Sequence, residues 1–342
     1  MDAQPTPRGA GYSQPAEWAP HRTCYSAWPA HAYAWGEHLG AAQREFILFA
    51  RAFSEPDAQE PLTILADAAH AAEARAALPE KVRLLELPYG DIWLRDTAPI
   101  FLQGPERVGS VRFRFNGWGE KYIYPHDAEL AARLAELQGG PAFRSELICE
   151  GGAIDVDGAG TALTTRSCLL NVNRSPRADV RAIEAQLRDA LGVEHILWLD
   201  EGLANDHTDG HVDNIARFVA PGRVVCMDAS GADDPNRAAL NAIAEQLRTA
   251  RDAAGRALEV VRIPSPGRVL GADGQVVPAS YMNFYIGNAR VIMPHFDTRW
   301  DEPARAALQA LFPEREVIGC RARALLEGGG TFHCMTQQEP SP

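Results

Sequence analysis

Lysine is nearly absent from this chain: Lys81 and Lys121 are its lysines in 342 residues. Phosphate-binding surfaces need clustered Lys and Arg, and the formal net charge is −12, so a nucleic-acid partner is not expected. A surplus of acid fits a cationic partner better. No stretch reaches the ~18 to 20 consecutive apolar residues of a membrane helix, so no membrane partner is expected either. The segment Met1–Gln14 is polar and rich in Pro and Gly, without the apolar core of a signal peptide. It reads as a flexible tail ahead of a single domain over residues 15–340, and the expected location is the cytoplasm. The six cysteines (Cys24, Cys149, Cys168, Cys226, Cys320 and Cys334) are scattered singly, with no CxxC pair. That pattern fits reduced thiols and disfavours a disulfide framework or a structural zinc ribbon. No GxGxxG or GxxxxGK[ST] follows the first strand, which weakens an open doubly wound nucleotide-binding sheet.

What is present is a repeated order. Apolar periodicity at helical spacing occurs near residues 40–53, 127–138, 178–191, 234–252 and 302–311. Between these helices, short β-type runs lead into polar or Gly-rich turns, which lead into further β-type runs. Val82–Leu87 precedes Asp91–Asp96, Leu147–Ile148 precedes Cys149–Asp155, and Ile196–Leu199 precedes Asp206–His211. Leu258–Ile263 precedes Ser280–Tyr285, and Glu316–Gly319 precedes the Gly run before Cys334. Spacings of roughly 50 to 70 residues are those of repeat or propeller architectures. Radial arrangement of the five units would bring their turns to one central site.

Chemistry concentrates in those turns. In Glu327-Gly-Gly-Gly-Thr-Phe-His-Cys334 a cysteine follows a flexible run that lets backbone approach a substrate closely, Gly329 being its middle residue. Cys334 reads as a nucleophile, against the alternative of a small buried hydrophobe, which is the fate expected of Cys149, Cys168, Cys226 and Cys320. Strand-like alternation would place Asp91, Trp93 and Arg95 on one face and Asp96 on the other. A carboxylate beside an aromatic wall suits a planar cation; a salt bridge from Arg95 to Asp91 or Asp96 is the plainer reading. His211-Val212-Asp213 would set a base and a carboxylate on one strand face, against the alternatives of a solvated pair or a metal shared by His207 and His211. The turn-like Thr208-Asp209-Gly210, and the lack of a Glu after His207, argue against HExxH metal chemistry.

Together these stretches resemble the agmatine deiminase family, which is related to bacterial peptidylarginine deiminases within the guanidine-modifying pentein superfamily. The resemblance rests on Pro15-Ala-Glu-Trp18 with Trp28-Pro29, Asp91-Ile-Trp-Leu-Arg-Asp96, Glu150-Gly-Gly-Ala-Ile154 and Cys168-Leu-Leu-Asn-x-Asn-Arg174. It continues through Thr208-Asp-Gly-His-Val-Asp-Asn214, Ser280-Tyr-x-Asn-Phe-Tyr-Ile286 and Gly328-Gly-Gly-x-x-His-Cys-x-Thr-Gln-Gln338. It implies a five-bladed pseudo-symmetric α/β propeller with a central active site, no metal or organic cofactor, and a homo-oligomer. It also implies that Cys334 attacks a guanidinium carbon held by Asp96 and Asp213, in a pocket shaped by Trp93 and Glu150. His211 would protonate the departing ammonia and then activate water. The implied reaction is agmatine plus water giving N-carbamoylputrescine and ammonia. Free or peptidyl arginine, another guanidine, amidino transfer, or a non-catalytic cation-binding propeller are the alternatives. Ala98, Arg166 and Ser175 depart from the family pattern, and Asp155 and His207 lie close to these turns.

Overall fold

The computed structural model describes residues 5–54, 58–177 and 179–342, and its strands form five small sheets. Four of them repeat one plan: an antiparallel pair, a crossover helix, and a third strand parallel to the second. The first of these joins β4 (Ile100–Leu102), β5 (Gly109–Arg114) and β6 (Ala142–Ile148); the next joins β7 (Asp155–Val156), β8 (Thr161–Thr165) and β9 (His195–Leu199). The plan recurs in β10 (Ala216–Ala220), β11 (Arg223–Asp228) and β12 (Glu259–Pro264), then in β13 (Tyr285–Ile286), β14 (Arg290–His295) and β15 (Glu316–Arg321). The remaining sheet takes β1 (His21–Ala27), β2 (Leu62–Ala66) and β3 (Arg83–Glu86) from the start of the chain and β16 (Gln337–Pro340) from its end. β16 runs antiparallel to β1, so the last strand supplies the first blade's missing edge and closes the ring. This is the five-bladed α/β propeller that the resemblance implies.

The crossover helices fall where the periodicity places them: Leu39–Ser54, Asp127–Gln138, Val180–Leu191, Arg237–Thr249 and Asp301–Gln309. Val180–Leu191 shows why. Asp179 caps it through Arg181 N and Ala182 N, and Gly192 ends it with φ 68°. Ile183, Leu187, Ala190 and Leu191 recur along one stripe and are buried against the sheets. Each large apolar side chain so buried contributes about 1.5–3 kcal/mol, and truncating Leu187 to Ala would cost about 2–5 kcal/mol. The middle strands β2 and β8 are buried along their whole length, which explains runs that never alternate.

Two readings of local structure change. Residues 1–4 lie outside the described residues, but 5–14 pack onto the fold instead of forming a tail. Arg8–Ala10 make a 3-10 turn, Ser13 pairs with Gln103, and Tyr12 is buried among Ile100, Val111 and Leu191. The Tyr12 ring supplies the apolar surface that composition alone did not flag. Asp91–Asp96 is no strand: Leu94–Thr97 is a helical turn, which carries Trp93 and Asp96, three residues apart, to the same side. In the same way Val212–Asn214 is a 3-10 turn, and of Ser280–Tyr285 only Tyr285 is in a strand. No helix among the described residues is long and apolar enough to cross a membrane.

Candidate active site

After its last strand each sheet sends the chain inward, and these five loops meet in the middle. They bring Asp91, Trp93 and Asp96 after β3, Glu150 and Gly152 after β6, His207, His211 and Asp213 after β9, Asn283 after β12, and Cys334 after β15. A measure of their convergence is Gly152. A Cβ there would lie 2.5 Å from His211 Nδ1 and 3.0 Å from both Asp213 Oδ2 and Asp96 Oδ1, so only a bare backbone fits between the three groups.

Cys334 Sγ lies 3.0 Å from Asn283 Nδ2 and 3.6 Å from Asp213 Oδ2. Burial, then the Asp213 and Asp96 carboxylates, push its thiol well above the ordinary range. Asp213 Oδ2 accepts a hydrogen bond from Asn283 Nδ2 at 3.3 Å and meets His333 Nδ1 at 2.7 Å, while its Oδ1 has no protein partner. Burial opposes ionisation of Asp213, but the His333 contact together with His211 and Arg217 outweighs it and holds the carboxyl below its usual range. Asp96 accepts from Trp118 Nε1 at 2.8 Å and from Gly152 N at 2.9 Å; here burial dominates and the carboxyl is raised.

His211 is fully buried, and neither ring nitrogen has a hydrogen-bond partner. Its Nδ1 is 3.8 Å from Asp96 Oδ2 and its Nε2 is 3.7 Å from Glu150 Oε2, so these acids act on it through charge. Burial disfavours the imidazolium, yet Asp96, with Cys168 and Glu150, overcomes that and raises the pKa well above the histidine norm. This direction favours the imidazolium, the form that can give a proton.

The cavity over these groups is lined by Asp91, Trp93, Asp96, Trp118, Tyr122, Tyr124, His207, Glu327, Gly329 and Cys334, among others. Gly329, with φ 110°, and Gly330 form its floor beside the thiol; a Cβ at Gly330 would stand 3.0 Å from Cys334 Sγ. Trp35 backs Trp93 at 5.8 Å between ring centroids and donates to Asp91 Oδ1 at 3.0 Å. Burial pushes Asp91 up to about 6. Among the described residues lining the cavity none is Lys or Arg.

Several expected site residues sit elsewhere than the sequence suggested. Glu150 does not line the cavity: it lies beneath His211, and both its oxygens accept from Arg174 Nε at 2.9 Å. Arg95 binds neither Asp91 nor Asp96. It reaches Gln337 Oε1 at 3.0 Å and Glu17 at 3.6 Å. His207 lies at the rim against Tyr122, and Asp209 (φ 67°) and Gly210 (φ 97°) turn the chain so that His207 and His211 face different surroundings. Asp155 is a structural anion paired with Arg217, and Arg166 lies at the surface with Asp200.

The sequence reading gave no role to Asn283, Trp118, His333, Arg174 or Cys168. Cys168, read as an inert buried hydrophobe, comes with Glu150 and His211 to within 4.8 Å of one another. A signal existed in its position within the Cys168–Arg174 stretch. Beneath the site runs a buried ionic layer. Arg217 pairs with Asp155 and with Glu17 at 2.7 Å, and Glu17 meets His333 Nε2 at 2.8 Å. These pairs join the N-terminal loop, two blades and the nucleophile loop.

Residues 13–340 match the family described as Porphyromonas-type peptidyl-arginine deiminase. Among curated relatives, the agmatine deiminase of Stutzerimonas stutzeri (strain A1501) is 40% identical, with 98% of each chain covered. Among solved structures, an agmatine deiminase of Enterococcus faecalis superposes with a TM-score of 0.94 at 31% identity, covering 100% of this chain and 99% of that one. An amidinotransferase from Microseira wollei shares the fold alone, with a TM-score of 0.54 at 14% identity over 95% of each chain.

Proposed function

Because this chain belongs to the Porphyromonas-type peptidyl-arginine deiminase family, we propose that it hydrolyses the guanidine of agmatine to N-carbamoylputrescine and ammonia through an amidino-cysteine intermediate. The observation that carries this reading is the composition of the cavity: a thiol flanked by Asp96 and Asp213, walls bearing Asp91 and Glu327, and no Lys or Arg. A guanidinium at one end and an ammonium at the other suit such walls. The α-carboxylate of free arginine would find no Lys or Arg among the lining residues.

The guanidinium is resonance-stabilised and a poor electrophile, so it must be held in plane while protons reach nitrogen. Asp213 Oδ1 and Asp96 accept its N–H groups, and Trp93 supports its face. Its positive charge reverses the electrostatics at Cys334, so substrate binding itself favours the thiolate. Sγ attacks the central carbon, His211 gives its proton to one amino nitrogen, and ammonia leaves as the C–N bond breaks. A water then attacks the amidino carbon. His211 takes its proton, the C–S bond breaks, and the urea product departs with Cys334 regenerated.

Ammonia release should be seen with agmatine, without added metal, and should vanish in Cys334→Ala. Arginine should be at least about 100-fold poorer in kcat/KM, since a buried unpaired carboxylate costs several kcal/mol. Equal turnover of both would overturn the substrate assignment, and no turnover of any guanidine would overturn the reaction class. In the free enzyme, iodoacetamide should label Cys334 slowly at neutral pH, with a rate rising only above the ordinary thiol pKa of about 8.5. The homo-oligomer and the cytoplasmic location belong to the same proposal; light scattering and cell fractionation test them.

A further inference from the structure

On the far side of the cavity wall, His31, Asp67 and His70 bring three ligand atoms to within 4.8 Å of one another. His31 ends the loop before the short helix Ala32–Trp35, Asp67 follows β2, and His70 starts the helix Ala71–Ala77. We propose that these residues form a binding site for a borderline divalent transition ion, with Zn2+ as its archetype, separate from the reacting groups.

The donor set is two imidazoles and one carboxylate, which suits zinc and the later first-row metals and not Mg2+ or Ca2+. The distances fit as well. Asp67 Oδ1 engages both the His70 backbone N–H at 3.0 Å and the His70 ring Nδ1 at 2.8 Å. Its other oxygen, Oδ2, faces His31 Nε2 at 3.7 Å, too far for a hydrogen bond. Two ligands each ~2.1 Å from a tetrahedral ion stand about 3.4 Å apart, so one ion fits in that gap with little movement. The hydrogen bond from His70 Nδ1 to Asp67 Oδ1 would then give way, both groups turning the same atoms to the ion.

The groups are also prepared for an ion. The His31 ring is fixed by Tyr33, stacked at 4.9 Å and 8°, and by Tyr89 at 5.2 Å. The three side chains are 13%, 21% and 32% exposed, which leaves a path from solvent and an open coordination position for water. His31 Nε2 otherwise meets the carbonyl of Tyr89 at 3.2 Å, and Tyr33 donates to Gly90 O, just ahead of Asp91. An ion here would thus tie the loop after β2 to the back of the cavity wall without reaching Cys334.

Equilibrium dialysis of the intact protein against Zn2+, with metal analysis, tests this without any turnover assay. A second metal-capable group, Glu150 with Cys168 and His211, must be told apart. One tight Zn2+ per chain is expected in the wild type, in Cys168→Ala and in Cys334→Ala. Affinity should fall at least about 10-fold in His31→Ala and in His70→Ala. Co2+ bound at the site should show no thiolate charge-transfer band, and His70→Ala should keep the wild-type circular dichroism, which certifies its fold. Undiminished zinc affinity in His70→Ala, zinc lost with Cys168→Ala, or no zinc bound at all would each overturn the proposal. None of these outcomes bears on whether agmatine is the substrate.

Discussion

Asp213 and Asp96 flank the same thiol but are anchored to different kinds of structure. Asp213 is wired through His333 to Glu17, Arg217 and Asp155, all buried, so its position is set by the ionic layer under the site. Asp96 is held by a backbone N–H and by Trp118, which lies on a segment where Gly117, Trp118, Gly119 and Glu120 all have positive φ. Left-handed conformation costs non-glycine residues about 1–2 kcal/mol each, so this strap is held by what it touches. The ionisation follows the anchoring: Asp213 is held down and Asp96 is pushed up. One carboxylate is a fixed post. The other is a softer arm, held by one indole N–H and one backbone N–H.

The largest test of that contrast is Asp213→Asn, expected to lower kcat/KM by about 10³-fold. A loss below about tenfold would mean that the two acids are interchangeable. Next comes His333→Gln, which should cost roughly 10²-fold in kcat by letting Asp213 and the adjacent thiol drift, with circular dichroism unchanged. A purely structural role would instead lower Tm and leave the kinetics of the folded fraction intact. Trp118→Phe keeps an aromatic side chain but removes the indole N–H, a hydrogen bond worth about 1 kcal/mol, and part of the ring volume, so about a fivefold to tenfold loss is expected, mostly in KM. An effect as large as that of His333→Gln would erase the distinction between post and arm.

The smallest effect is on stability and lies on the wall behind Asp91. Asp127 Oδ1 accepts from Gly90 N at 2.8 Å, and burial pushes this carboxyl up to about 7. In the unfolded chain it titrates near 3.9. The folded state therefore holds an extra proton between about pH 4 and pH 7, and stability falls as pH rises through that window. Asp127→Asn should flatten the fall, by on the order of 2 kcal/mol, in Tm measured from pH 5 to pH 8. An unchanged pH slope would show that Asp127 is ionised in the fold without penalty.

The scaffold was largely legible because its signals are local. Helical stripes such as Ile183, Leu187 and Leu191 and the apolar middle strands are written at fixed spacings, and five such units with polar turns point to a radial plan. Local conformation inside the site was not legible, since Asp91-x-Trp93-x-Arg95 alternates as a strand would while its neighbours force a helical turn. Cys334, His211 and Asp213 were singled out by their chemistry and Asp96 by the resemblance, and the four do meet. The uncharged supports escaped. An amide (Asn283) and an indole N–H (Trp118) become informative only when distant loops set them against Cys334 and Asp96. Glu150 shows the converse error: an acid in the right stretch serves the base, because Arg174 already occupies both of its oxygens.

β16 begins three residues after Cys334, and its partner is β1 at the other end of the chain. The nucleophile is thus carried on the clasp that closes the ring. Until that final segment docks beside the first blade, the site lacks both Cys334 and the His333 that fixes Asp213. Closure of the ring and completion of the site are one structural event.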